Sequence, residues 1–313
     1  MSGNVVNALQ RFDGALDGRH AAFLERQLEY VKAQTYDIQY ASLKSRLFVP
    51  VNNEIPNGAA SHVYQSWDEY GRADIISSYG DDFKRVGVGV KEFVNGIKSI
   101  GASYAYSIED LRRSAFAGTN LDTRLAGAAR NAIEFEIDHL AAFGHKNSKL
   151  YGFFTNPSVP VKKATTPWFG KDVKDPRKIL DDLAGVVSDI VDRTEELHAP
   201  DTLLLPTKHF AYIAQTPVSS NTEITILKSF LANNPYIKGI DSWKKLDKAD
   251  EALTGPRIVA YKRSPEVLQL EIPQEFEQFP PQPRNMEFVI NCHAKFAGVS
   301  IYYPLAIGFL DGV

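Results

Sequence analysis

From Asn120 to Gly144 the chain carries no proline, and its apolar residues recur on a helical period. The segment from Leu121 to Gly144 predicts one helix of about 36 Å at ~1.5 Å per residue. That is roughly twice the common length of a helix in a globular protein. On a wheel stepped at ~100° per residue, Leu121, Leu125, Ala128, Ala129, Ala132, Ile133, Phe135, Leu140 and Phe143 share one side. Gly127, Arg130, Asn131, Glu134 and Asp138 share the other, and Ile137 is the one large apolar residue out of place. A one-sided rod of this length must lie across a sheet or another helix. No other feature limits the fold as much.

The flanks punctuate it. Ser107-Ile108-Glu109-Asp110 has the Ser-x-x-acid form that satisfies free amides at a helix start, so a short helix is expected from there to Gly118. After the rod comes a turn, Tyr151-Gly152-Phe153-Phe154-Thr155-Asn156-Pro157, and then a linker rich in Pro, Thr and Lys to Asp175. Asp175-Pro176 is a cap followed by a first-turn proline, and the helix it opens is expected to run to His198-Ala199-Pro200. A short buried-type strand is expected at Thr202–Leu205, with helices at Thr207–Gln215 and Thr225–Ala232 and strands at Arg257–Tyr261 and Val267–Ile272. A proline-rich bend (Phe279-Pro280-Pro281-Gln282-Pro283) precedes the tail. There Met286, Phe288, Ile290, Cys292 and Ala294, then Val299, Ile301, Tyr303, Leu305, Ile307 and Phe309, take every second position. Period two predicts strands with one face buried.

Leu47 to Ile100 also carries strand signals. Tyr64, Trp67 and Tyr70 lie in one run (Ser61 to Ala73), Tyr79-Gly80-Asp81-Asp82 reads as a turn, and Val86, Val88 and Val90 alternate with Gly87 and Gly89. The expectation is a long hairpin whose faces are not both apolar. An isolated two-stranded ribbon is barely stable in water, so one that extends from its core needs another surface to lie on. Residues 1–48 are polar and mixed. His20–Ala33, with Phe23, Leu24, Leu28 and Val31, suits an amphipathic helix in what is either a frayed terminus or an arm packed on a neighbour.

Composition narrows the chemistry. At 313 residues, 44% hydrophobic and 23% charged, the chain can bury a real core. A net charge of −3 disfavours tight gripping of nucleic-acid phosphates but permits loose enclosure. A single cysteine, Cys292, excludes an intrachain disulfide framework. No apolar run is long enough for a membrane span, and Met1-Ser2-Gly3-Asn4 does not open a signal peptide.

Glu136/His139 and Glu195/His198 repeat the Glu-x-x-His spacing of di-iron carboxylate bundles. The mixed pattern after residue 200 and the place of His198 at a helix end argue against such a bundle. Adjacent strand residues point to opposite faces, so Cys292 and His293 cannot form a catalytic pair. Gly87-Val88-Gly89 lacks the third glycine and helix of a nucleotide loop. Gly101-Ala102-Ser103-Tyr104-Ala105 fails the nucleophile-elbow pattern. The expectation is no catalytic, cofactor-binding or metal residue.

Residues from about 60 to 157 resemble the major capsid proteins of tailed bacteriophages with the Hong Kong ninety-seven-type fold. The resemblance rests on an ordered series: the aromatic strand into Gly71-Arg72-Ala73 with Ile75-Ile76-Ser77, the acidic turn at Asp81-Asp82, and the valine-rich return strand. Tyr104-Ala105-Tyr106-Ser107 with Glu109-Asp110-Leu111, the long helix with Ala128-Ala129-Arg130, Phe143-Gly144 and the turn 151–157 complete it. Leu203-Leu204-Leu205-Pro206 and Tyr303-Pro304-Leu305-Ala306-Ile307 are weaker echoes.

The resemblance implies an α+β phage major-capsid fold in four parts. These are an N-terminal arm (1–48), an extended β-hairpin loop (49–100), a peripheral domain (101–175 plus 286–313) with its spine helix at about 121–144, and an axial domain (176–285). It implies an icosahedral head shell of hexameric and pentameric capsomers, assembled in the host cytoplasm around double-stranded DNA without sequence-specific binding. Portal and scaffolding or cement proteins would be partners, with no membrane and no cofactor. Contacts between subunits are expected from Tyr64, Trp67, Tyr70, Arg72, Asp81, Asp82, Lys84 and Arg85. Some relatives crosslink through a loop lysine, for which Lys84 is placed, but no supporting acid motif accompanies it, and noncovalent assembly is expected. An encapsulin-type compartment, with the same fold around an enzyme, is the alternative. A metal-dependent oxidoreductase built on the Glu-x-x-His pairs comes third.

Overall fold

The computed structural model describes residues 43–70, 85–117, 121–165, 167–169, 175–219, 222–247, 253 and 255–313. The helix expected at 20–33 and the turn at 79–82 lie outside them. A short helix α1 (Ser45–Phe48) and strand β1 (Val51–Asn52) lead into β2 (Ser61–Tyr70) and β3 (Gly87–Gly96). β4 (Lys98–Ser107) then runs into helices α2 (Ile108–Ala117) and α3 (Leu121–Phe143). β5 (Gly144–His145), β6 (Leu150–Tyr151) and β7 (Val161–Lys163) precede α4 (Pro176–Arg193). Next come β8 (Thr202–Leu205), α5 (Thr207–Gln215), α6 (Ile226–Asn233) and β9 (Gly239–Ser242). The chain closes with β10 (Arg257–Tyr261), β11 (Leu268–Glu271), β12 (Gln274–Gln278), β13 (Gln282–Arg284), β14 (Glu287–Phe296), β15 (Gly298–Ile301) and β16 (Ile307–Asp311). The mixture of helix and strand agrees with the expected α+β class.

Two apolar clusters hold the described residues together. One lies where α3 crosses the sheet in which β14 pairs with β4 along its whole length and with β12 and β13 on its other edge. Ile290, Cys292, Ala294 and Phe296 alternate inward from β14 onto that helix, as period two requires. The second cluster packs α4, α5 and α6 on the five-stranded sheet β7-β16-β10-β8-β9. Gly308 on β16 lets α4 come close: a Cβ there would stand 3.1 Å from Ile190 Cδ1.

The Ser107 cap forms as expected. Ser107 Oγ accepts from the Asp110 amide at 3.1 Å, while Asp110 Oδ2 accepts from the Ser107 amide at 3.1 Å and from its hydroxyl at 2.7 Å. Those bonds hold the Asp110 carboxyl below the usual carboxylate range.

The far end of α3 explains the turn at 151–157. A helix leaves its last carbonyls without amide partners. Here the Phe153 amide donates to Ala141 C=O at 2.8 Å, the Phe154 amide to Ala142 C=O at 2.9 Å, and Thr155 Oγ1 to Phe143 C=O at 2.8 Å. The turn thus caps the rod and drives Phe153 and Phe154, both fully buried, into the core. Arg257 locks it from outside: its guanidinium forms a two-pronged pair with Asp311 at 2.6 Å and donates to the Phe154 carbonyl.

The buried seam of α3 is rotated from the wheel prediction. Ala129, Ile133, Ile137, Leu140 and Ala141 are buried, whereas Ala128, Ala132 and Glu136 are exposed. Alanines weighted the wheel toward their own side but offer little area to bury, and the isoleucines set the true seam. Ile137 is therefore in place. Asp138, assigned to the outer face, is buried because Oδ1 accepts from the amides of Lys44 (3.1 Å) and Ser45 (2.8 Å) while Oδ2 meets Lys245 Nζ at 2.5 Å. Asp138→Ala strips acceptors from those amides, so a loss of about 3 kcal/mol is expected. Urea unfolding midpoints measure it, and an unchanged midpoint would refute this role.

Two further expectations are corrected. α4 ends at Arg193, short of His198. Thr194 Oγ1 donates to Ile190 C=O at 2.8 Å, the Glu196 amide reaches back to Val191 C=O, and Glu195 and Glu196 take φ of 49° and 65°. Left-handed residues stop a helix, and glycine, the usual signal for one, is missing. The tail's period two also breaks, because Pro304–Ala306 forms a 3-10 turn that leaves Tyr303 and Leu305 half exposed. β15 and the first four residues of β16 are buried on both faces, as strands covered on both sides must be.

Candidate assembly surface

β2 and β3 pair only with each other among the described strands, in register from Ser61↔Gly96 to Tyr70↔Gly87. The root of this ribbon is fastened to its own molecule. Tyr64 stacks on Phe93 (centroids 5.0 Å apart), meets Tyr302 edge-on at 5.0 Å, and donates from its hydroxyl to Ile301 C=O at 3.2 Å. Asn95 Nδ2 donates to Ser300 Oγ at 3.1 Å. Burial raises the Tyr64 phenol above its ordinary range.

Opposed residues in a ladder share a face. Tyr64, Phe93 and Asn95 therefore define the face turned to the body, and Val63, Val88, Val90 and Val94 define the other. These four valines are 47%, 54%, 46% and 64% exposed. Val86, before the strand, is 72% exposed. Water-facing valines along one ribbon face are costly to leave uncovered at roughly 25 cal/mol per Å².

Where the ribbon leaves the body there is an open cleft of about 590 Å³, lined in part by Phe93, Tyr151, Leu197, His198, Tyr302 and Tyr303. Its walls are mostly aromatic and apolar. His198 lies against the Tyr303 ring (4.8 Å), and burial, aided by the Lys262 charge, lowers its pKa. The Glu-x-x-His pairs do not meet as a bundle site: Glu136 is exposed on α3, and Glu195 and His198 lie beyond the end of α4. Among the described residues, no group of three or more His, Cys, Asp or Glu side chains could hold a metal ion. No described helix is long and apolar enough to cross a membrane. Cys292 is buried and its thiol is pushed up by burial.

The sequence profile of the family described as major capsid protein matches residues 71–313. The chain belongs to the major capsid protein family. Membership makes self-association into a capsid the role of the fold and places it in the virion shell. Solved structures agree in architecture. The capsid of the myovirus phage XM1 superposes with a TM-score of 0.79 at 18% identity, over 96% of this chain and 100% of that one. The capsid of a native GTA particle gives 0.65 at 12% identity, covering 95% and 99%. A virus-like particle from Pyrococcus furiosus gives 0.55 at 15%, covering 85% and 91%. No curated protein matches the sequence.

Of the residues expected at subunit contacts, Tyr64 is half-buried against its own body and Arg85 is exposed beside the valine face. Trp67 and Tyr70 lie on β2 as register partners of Val90 and Gly87. Arg72, Asp81, Asp82 and Lys84 fall outside the described residues. Val63, Val88, Val90 and Val94 were missed as contact residues, although the alternation of Val86, Val88 and Val90 had already marked a strand with one valine face.

Proposed function

We propose that copies of this chain close into an icosahedral shell, the head of a tailed phage, around double-stranded DNA. The observation that carries this is the ribbon: its root is tied to one copy while its valine face turns away, which suits a strap laid over a neighbour. Such contacts, repeated over hexameric and pentameric capsomers, add enough buried apolar area to stabilise a closed particle. The near-neutral charge suits DNA that is enclosed without being gripped and must later leave.

The proposed division keeps an N-terminal arm (1–48), the extended loop (49–100), a peripheral domain (101–175 plus 286–313) around α3, and an axial domain (176–285). β16, in the C-terminal part, would join the two domains, since it pairs with β10. Trp67, Tyr70, Arg72, Asp81, Asp82, Lys84 and Arg85 remain the proposed contact set, while Tyr64 serves to tie the root to its own copy; assembly is noncovalent in the host cytoplasm, with portal, scaffolding or cement proteins as partners. Electron micrographs of purified protein, with assay of the contents, test the reading. Shells or capsomer rings support it, and protein cargo in place of DNA would shift it to an encapsulin-like compartment. A lone monomer across salt and pH would refute it.

A further inference from the structure

Beneath the ribbon root lies a buried carboxyl group that its surroundings do not fully satisfy. Glu271 on β11 is 0% exposed, and its Oε2 has no hydrogen-bond partner. A fully buried carboxylate demands a cation or several donors. Oε1 accepts from the Tyr302 hydroxyl at 3.0 Å. Among the described residues, the group within ion-pair reach of Glu271 is His62 of β2, whose Nδ1 stands 4.0 Å from Oε1 and is itself buried without a partner. Ribbon and body thus bring an unpartnered imidazole nitrogen to 4.0 Å from a buried carboxyl group whose other oxygen, Oε2, also has no partner.

We propose that His62 and Glu271 form a charge latch, which holds the root of the ribbon to the body while His62 carries a proton and slackens when it does not. The remaining groups around the pair do not supply this charge. Tyr302, after β15, and Tyr64, on β2 with its ring 6.1 Å from His62, are phenols held above their ordinary range by burial, and so stay neutral near pH 7. Asn95, opposite His62 on β3, Ser300 of β15 and Gln269 of β11 are uncharged. A protonated imidazole beside the buried carboxylate supplies the attraction, so the latch holds at acid pH and weakens as pH rises. The same joint sets the angle at which the valine face is offered, so its state would govern how the strap swings onto a neighbour.

Hydrogen exchange on the unassembled full-length protein tests the latch within one copy, so the outcome stands whether or not shells form. After correction for intrinsic exchange, protection of amides 61–66 and 91–96 should fall about fivefold from pH 6 to pH 8, the scale of one partly buried ion pair. His62→Gln and Glu271→Gln should flatten that dependence. A wild-type protein with no pH dependence, or a His62→Gln variant that keeps it, overturns the proposal. Should Glu271→Gln fail to fold, the half-buried His62 variant still decides.

Discussion

Gly152→Ala is expected to lose at least ~3 kcal/mol, enough to leave little folded protein. A Cβ at Gly152 would stand 2.4 Å from both Gly144 N and Phe143 C, and 2.5 Å from Ala142 O. These are backbone atoms of the helix end, so no side-chain rotation relieves the clash. Opening the turn also removes the amides of Phe153 and Phe154 from the carbonyls they cap and withdraws two buried rings. The effect therefore combines overpacking with loss of a helix cap. Soluble yield and thermal midpoint measure it, with Gly58→Ala as control, since a Cβ there meets nothing within 4 Å. A Gly152→Ala midpoint within a few degrees of wild type would show that the turn is not the keystone argued for it.

Val88→Glu combined with Val90→Glu is expected to abolish particle assembly and leave the subunit folded. Both positions face water within one copy, and Glu69 stands opposite Val88 in the ladder, so the double change should cost no more than about 1–2 kcal/mol in all. In a shell they would lie under a neighbour. Two carboxylates desolvated in every ribbon contact cost several kcal/mol each without partners. Sedimentation and circular dichroism separate the two effects: a slow-sedimenting species with wild-type ellipticity is the predicted result. Normal particles would show that this face is free in the shell.

Much of this was legible in the chain. The Asp175-Pro176 start, the Thr207–Gln215 helix and the Thr202–Leu205 and Arg257–Tyr261 strands lie where cap residues and apolar runs place them, because each is decided by its own few residues. The ribbon was legible from alternation together with the lack of a second apolar face. The seam of α3 was not, since it depends on what lies opposite: Asp138 is buried through the backbone of Lys44 and Ser45 and through Lys245, all distant in sequence. The early end of α4 was hidden because Glu195 and Glu196 take a left-handed conformation with no glycine to announce it. The joint of His62 with Glu271 is likewise a product of topology. No local spacing links two residues brought together by a ribbon folding back on β11 and β15.

Site-specific thiol labelling at the ribbon face would test the assembly account most directly. Val90→Cys places a reactive thiol on the exposed face, and the one native cysteine, Cys292, is buried and held as a thiol. In isolated subunits the new thiol should react with a maleimide at the rate of a free surface cysteine, and in assembled particles it should be blocked. Equal reactivity in subunits and in particles would contradict the claim that each copy's ribbon is covered by another.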